Sequence, residues 1–152
     1  MKEEDQLVFG KVRMECFNPQ NISYEDKNTG SLVFWLNFKE FDMLLTGDMD
    51  ASVEKRLENR LSESAKKGLD VLKVAHHGSD TASSKDFLEK LQPAFACISV
   101  GSQNRYGHPH AQTIENLEAV HTGIFRTDRQ GAICIHTDGA TMDICGYLDE
   151  KS

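Results

Sequence analysis

Apolar and polar residues along this 152-residue chain change their spacing twice. In the first third the period is near two. LVFG followed by KVRMECF predicts a hairpin turning at Gly10; after the polar loop 18–30, NPQNISYEDKNTG, come SLVFWLNF and FDMLLTG, joined by the short connection KE. From Asp50 onward, short apolar runs alternate with helical periods. Asp50 is placed to cap a helix whose Val53, Leu57 and Leu61 recur four apart on one face and which fades near Gly68. DVLKVAHH reads as the next strand. A helix from about Ser84 follows, with Phe87, Leu88 and Leu91 inward and Pro93 as its stop. FACISVG is a third strand of the same kind, and the helix after it, from about Ala111, turns Ile114, Leu117 and Val120 inward and ends at Gly123. GIFRT, AICIHT and TMDICGYL close the chain as short strands, with DRQG and DGA as turns and a frayed tail DEKS.

Strands, then alternating strand and helix, then strands again predict a mixed sheet covered by helices, in the α/β or α+β class. The length fits one domain over residues 1–152. SLVFWLNF carries apolar residues on both faces, as a strand covered on two sides does.

A net charge of −7 offers no general attraction to nucleic acid or anionic lipid, so a polyanion would have to be held locally. The longest apolar runs fall far short of the ~20 residues that span a bilayer, and MKEEDQLVFG is not a signal peptide, so the chain reads as soluble. Cys16, Cys97, Cys134 and Cys145 are scattered through apolar runs and read as small buried hydrophobes, with no disulfide predicted.

Three apolar runs end in polar side chains of one chemistry: FDMLLTGD in Asp48, LKVAHH in His76 and His77, and FACISVG in the loop bearing His108 and His110. Ligands of α/β sheets gather at the carboxyl ends of strands, so these residues are candidates for one shared site. Imidazole nitrogen and carboxylate oxygen are zinc donors, and an aspartate at a strand end can bridge two ions. Neighbouring side chains of a strand point to opposite faces, so only one of His76 and His77 would reach a given ion if the strand persists through both. The other would donate a proton or pack behind the ligand, and which is which stays open. Gly78 lets the chain turn beside the site and Ser79 can cap there. Each element also has a plainer reading, TGD as an ordinary turn and GHPH as a rigid loop; His121 and His136 are taken as structural. A Ser-His-Asp arrangement through Ser79 or Ser102 lacks the G-x-S-x-G elbow, and no glycine-rich phosphate loop is present.

The order TGD, LKVAHHGS, ISVGSQNRYGHPH and RTDRQGAICIHTDG, from about Gln6 to Gly139, resembles the metallo-β-lactamase-like domain of ComEC-type DNA-internalisation competence proteins. Members share D-V-L-K-x-x-H-H-G-S, Y-G-H-P-H and R-T-D-x-x-G-A, whereas KNTGSLV departs from their asparagine-rich form. The resemblance implies an αββα sandwich with a dinuclear zinc or manganese site acting as phosphodiesterase or nuclease on single-stranded DNA. It implies too that the domain belongs to a polytopic membrane protein and lies outside the cytoplasmic membrane. On this likeness Asp48 matches the bridging aspartate, the His76–His77 pair the second-metal histidine, and His108 and His110 the rim loop. The H-x-H-x-D-H segment that opens the site in such enzymes is absent from these residues, so the chain reads as the C-terminal half of the domain, weak in metal and inactive by itself. The alternative is a binding or assembly module that keeps the fold without the chemistry; a thioesterase or lactamase of the same superfold is more distant. Half of a two-sheet sandwich should also bare an apolar face, which predicts self-association, most simply as a homodimer.

Overall fold

The computed structural model describes residues 1–20 and 28–149; most of the polar loop and the last three residues of the tail lie outside them. Strands β1 (Gln6–Phe9) and β2 (Val12–Asn18) form the predicted hairpin, with Gly10 at φ 62 in its turn. β3 (Val33–Phe38) and β4 (Phe41–Leu45) form a second. The alternating section supplies α1 (Ala51–Ser64), β5 (Leu69–Lys73), α2 (Lys85–Leu91), β6 (Pro93–Ile98), α3 (Ala111–Ala119) and β7 (Gly123–Arg126). A short α4 (Thr127–Gln130) and the hairpin β8 (Ile133–Thr137) and β9 (Met142–Gly146) complete the chain.

β1 to β7 lie in sequence order in one sheet, antiparallel as far as β4 and parallel from β4 to β7. Crossovers between parallel strands are right-handed, and strands added in one direction put successive crossovers on the same face. That face holds the main core, in which Val53, Leu57 and Leu61 of α1 meet Phe87, Leu88 and Leu91 of α2, Leu117 of α3 and Trp35 of β3. Burying each such side chain stabilises the fold by about 1.5–3 kcal/mol. Asp50 caps α1 as expected, its Oδ1 accepting from the amides of Ser52 (3.0 Å) and Val53 (3.3 Å). Glu54, on the solvent side by its chemistry, is buried instead, and its two oxygens accept the amides of Ser83 and Ser84 ahead of α2. Burial raises its pKa more than these bonds lower it.

The opposite face is covered by β8–β9. Phe41, Val71 and Cys97 of the sheet are buried beneath Ile133, Ile135, Met142 and Ile144 of the hairpin. Lys39 Nζ donates to Asp138 O (2.6 Å) and Glu40 N to Gly139 O (2.9 Å), tying the β3–β4 turn to the β8–β9 turn. The expected bare face is thus partly closed from within the chain, although Leu36, Phe38, Met43 and Phe125 stay half-buried.

Four local expectations need correction. The strand expected over DVLKVAHH stops at Lys73, because His76 and His77 take left-handed backbone angles that no strand admits. DRQG lies in the helical turn of α4 rather than a plain turn. Gly123 does not end the third helix; α3 stops at Ala119, His121 takes the positive φ of 60, and Gly123 opens β7 where Phe95 leaves no room for a side chain. Cys134 is exposed, since alternate residues of β8 point away from the sheet; Cys16 and Cys97 are buried as expected.

Candidate active site at the carboxyl edge of the sheet

The parallel strands all end at one edge. Beyond β4 the chain turns at Gly47, where φ is 54 and a side chain would collide with the Leu32 carbonyl, and presents Asp48. Ser31 Oγ fixes that turn by accepting the Asp48 amide (3.2 Å), and Lys73 Nζ donates to Gly47 O (3.2 Å). Burial lowers the Lys73 pKa, and the Asp48 carboxylate offsets part of that shift.

Beyond β5 the chain coils through Ala75–Gly78 with His76 at φ 46, ψ 44 and His77 at φ 58, ψ 21. Two successive non-glycine residues in this region cost about 1–2 kcal/mol each, a strain of the kind that clusters at functional sites. The coil is held by His76 N donating to Gly47 O (3.1 Å) and Ser79 N to His76 O (3.0 Å). Ser79 Oγ meets Thr81 Oγ1 at 3.0 Å and accepts the Thr81 amide, so it braces the coil, as expected of it.

His77 and Asp48 converge, with Nε2 and Oδ1 3.7 Å apart. On the far side of the ring, His77 Nδ1 stands 2.7 Å from Ser99 O. A carbonyl only accepts, so Nδ1 carries a proton, and in the neutral ring it is the Nε2 lone pair that faces Asp48. A metal-ligating histidine is oriented in this way. His76 differs: its Nδ1 is buried and has no hydrogen-bond partner among the described residues. Its ring stands 6.4 Å from that of His77 and 5.8 Å from that of His108.

The loop beyond β6 brings the remaining pair. A side chain on Gly78, at φ +84, would lie 2.5 Å from Pro109 Cβ, so Pro109 sits directly on this glycine while His110 N donates to Gly78 O (2.9 Å). His108 and His110 pack edge to face at 4.9 Å. Burial, then the neighbouring imidazoles of His110, His76 and His77, hold His108 below the usual imidazole range, which favours its neutral form. His110 Nε2 donates to Tyr106 O (3.3 Å), and its Nδ1 faces the Asp80 amide (3.2 Å) and carboxylate (3.0 Å). The neutral ring accepts the amide, and a second proton turns the same contact into an ion pair. A groove of about 460 Å³ runs alongside, lined by His77, Val100, Tyr106, His108 and Thr127 among others.

All five candidates, Asp48, His76, His77, His108 and His110, therefore lie along one edge, each within reach of the next. His121 is exposed past the end of α3 and His136 on the outer face of β8. The donor set of one imidazole lone pair and one carboxylate suits a zinc-type or manganese ion. It supplies two ligands; among the described residues no group of three or more His, Cys, Asp or Glu side chains is disposed to hold a metal. Sequence reasoning gave no role to Ser99, Asp80 or Asn104. Ser99 acts through its carbonyl and leaves no signal in residue type. Asn104, four residues before His108, is a spacing at which one amide can bracket a loop, and that signal was readable.

No family model matches the chain. It is 34% identical over 133 residues to ComE operon protein 3 of Bacillus subtilis, covering 88% of this chain and 17% of that protein. It is 32% identical over 130 residues to Competence protein ComA of Neisseria gonorrhoeae, covering 86% and 18%. Recombination protein 2 of Haemophilus influenzae is 29% identical over 125 residues, covering 82% and 15%. The chain thus spans a small part of the length of these relatives. Among solved structures a mutant of CmlA β-hydroxylase superposes with a TM-score of 0.51 at 9% identity, over 82% of this chain and 31% of that one, a likeness of fold alone and one of the metallo-β-lactamase type.

Proposed function

From the homology of this chain to one stretch of the ComEC-type competence proteins, and from its metallo-β-lactamase-like fold, we propose that it forms part of a metal-dependent phosphodiesterase that cleaves single-stranded DNA during competence-related uptake. The observation that carries the reading is the His77–Asp48 pair, an imidazole lone pair aimed at a carboxylate oxygen 3.7 Å away, with the opposite ring nitrogen tied to a carbonyl. His77 rather than His76 would then be the metal-holding histidine of this coil, with Asp48 as the carboxylate that would hold the metal beside it. When bound, two zinc or manganese ions would supply charge stabilisation and a nucleophile at neutral pH. Ser99 keeps the His77 tautomer fixed. His108, held neutral, is able to accept a proton at the rim. His110, held between Tyr106 O and Asp80, keeps the His108 ring in place at the rim. Among the described residues the buried Nδ1 of His76 has no hydrogen-bond partner, and in this reading the remaining ligands would be supplied by the H-x-H-x-D-H segment that the resemblance implies. In this reading the domain is one part of a polytopic membrane protein and works outside the cytoplasmic membrane; among the described residues no helix is long and apolar enough to cross a membrane.

A non-catalytic assembly module is the competing reading, favoured by the lack of a third ligand among the described residues. The test completes this stretch with the segment bearing H-x-H-x-D-H and assays single-stranded DNA and a simple phosphodiester with added Mn²⁺ or Zn²⁺. Hydrolysis abolished by Asp48→Ala and by His77→Ala is the expected result. A folded, metal-loaded protein without hydrolysis would leave the assembly module.

A further inference from the structure

Tyr106 combines two properties: the residue is 79% exposed, and its backbone is firmly held. Asn104 does the holding. Its Nδ2 donates to Gly101 O (3.0 Å) and His108 O (2.8 Å), while its Oδ1 accepts from Tyr106 N (3.2 Å) and His108 N (2.9 Å). His110 Nε2 adds its bond to Tyr106 O. Against this frame the phenol ring stacks on the His108 imidazole, with centroids 5.8 Å apart and planes 28° from parallel. Ordering a loop costs conformational entropy, and here burial of its largest side chain returns little of that cost. Such an arrangement presents an aromatic face.

We propose that Tyr106 is a stacking platform for a nucleobase of single-stranded nucleic acid, placing the adjoining phosphodiester over His77 and Asp48. This rests on the phosphodiesterase reading above and names how that site takes its substrate. The groove beside Tyr106, about 460 Å³ and floored by Val100 and Thr127, is within the ~300–1,000 Å³ of small-ligand pockets and suits one nucleotide. Charge supports the same mode. A net charge of −7 gives the chain no general attraction to a phosphate backbone, and on this loop only Arg105 is cationic and exposed. Base stacking supplies affinity that general charge attraction does not, and it is sequence-tolerant because every base has a π-face. Salt dependence should be shallow, since for each tenfold rise in salt log K falls by about 0.7 per phosphate neutralised on a single strand, and one arginine neutralises few.

The experiment titrates this chain with labelled oligothymidylate and with an abasic oligodeoxynucleotide carrying the same number of phosphates, at fixed Mn²⁺. The native chain is expected to bind the thymidylate ~10-fold more tightly, within the range that loss of one base–aromatic stack produces. Tyr106→Ala should bring the two affinities together and leave abasic binding unchanged, whereas Tyr106→Phe and Tyr106→Trp keep the preference. Equal affinities in the native chain, no binding of either strand, or a preference that survives Tyr106→Ala would overturn the platform. The two readings fail separately. Base-dependent binding without cleavage by the completed domain retires the phosphodiesterase alone, and equal cleavage of both strands by native and Tyr106→Ala forms retires the platform alone.

Discussion

Replacing Gly78 by alanine tests whether the two histidine-bearing loops form one unit. Its φ is +84, and a Cβ there would stand 2.5 Å from Pro109 Cβ, 3.1 Å from Pro109 Cα and 3.4 Å from Ile98 Cγ2. Carbon atoms pack at about 3.5–4.0 Å, so the overlap with the proline ring is about 1 Å. Pro109 has little freedom to withdraw, because the next residue is bonded through its amide to Gly78 O and through its ring to Tyr106 O. Ile98 is fully buried. An alanine at positive φ costs about 1–2 kcal/mol, and forced overpacking about 1–3 more. The sum, about 2–5 kcal/mol, is a large share of the ~5–15 kcal/mol that holds a domain together. Two internal controls separate the contributions. Gly107 has φ +72 with nothing within 4 Å of its Cβ, so Gly107→Ala should lose only the backbone part, about 1–2 kcal/mol. Gly101 has neither a positive φ nor a close neighbour, and Gly101→Ala should stay within about 0.5 kcal/mol of the native chain. Urea unfolding followed by Trp35, the sole tryptophan, gives all three values. If Gly78→Ala and Gly107→Ala lose equal stability, Pro109 does not rest on Gly78 and the reasoning fails.

Three further outcomes are expected. Because burial raises the Glu54 pKa, the folded state binds a proton more readily than the unfolded chain. The contribution of Glu54 to stability is therefore largest below about pH 4.5 and declines as pH rises through its raised folded value. Glu54→Gln should remove that decline, and unfolding curves across pH 4 to 8 that run parallel for the two proteins would contradict it. Asp50→Ala should cost about 1 kcal/mol through loss of the α1 cap, read as a drop in Tm of ~2–4 °C. The half-buried Leu36, Phe38, Met43 and Phe125 beside the β8–β9 hairpin lead us to expect homodimers at micromolar concentration, and sedimentation as a clean 17.1 kDa species would refute this.

Much of the fold was legible because burial imposes a period. Val53, Leu57 and Leu61 announced α1, and Phe87, Leu88 and Leu91 announced α2, since only one helical face meets the sheet. Asp50 and Ser84 marked the helix starts through chemistry that acts within three residues. What stayed hidden depends on distant partners. Glu54 is buried because two amides 29 and 30 residues away await its oxygens. The β8–β9 hairpin has the same alternation whichever sheet face it covers. The site was legible in part. Apolar runs ending in Asp48, His76 and His77 pointed to one edge, but alternation along a strand was the wrong rule for the histidine pair. Both take left-handed angles that carry no sequence signature outside glycine and asparagine, and the feature that favours His77 in the proposed reading is a contact with a backbone carbonyl, Ser99 O.

The central claim is that Asp48 and His77 form part of a metal centre, and paramagnetic broadening by Mn²⁺ in NMR spectra of this chain tests it most directly, since it reports even weak binding residue by residue. Asp48 and the His77 ring are expected to broaden first, followed by His76 and Gly47, and Asp48→Ala to remove the effect without disturbing the core signals of Leu57 or Leu88. Broadening centred instead on the acidic surface around Glu3, Glu4 and Asp5, and unchanged in Asp48→Ala, would contradict it.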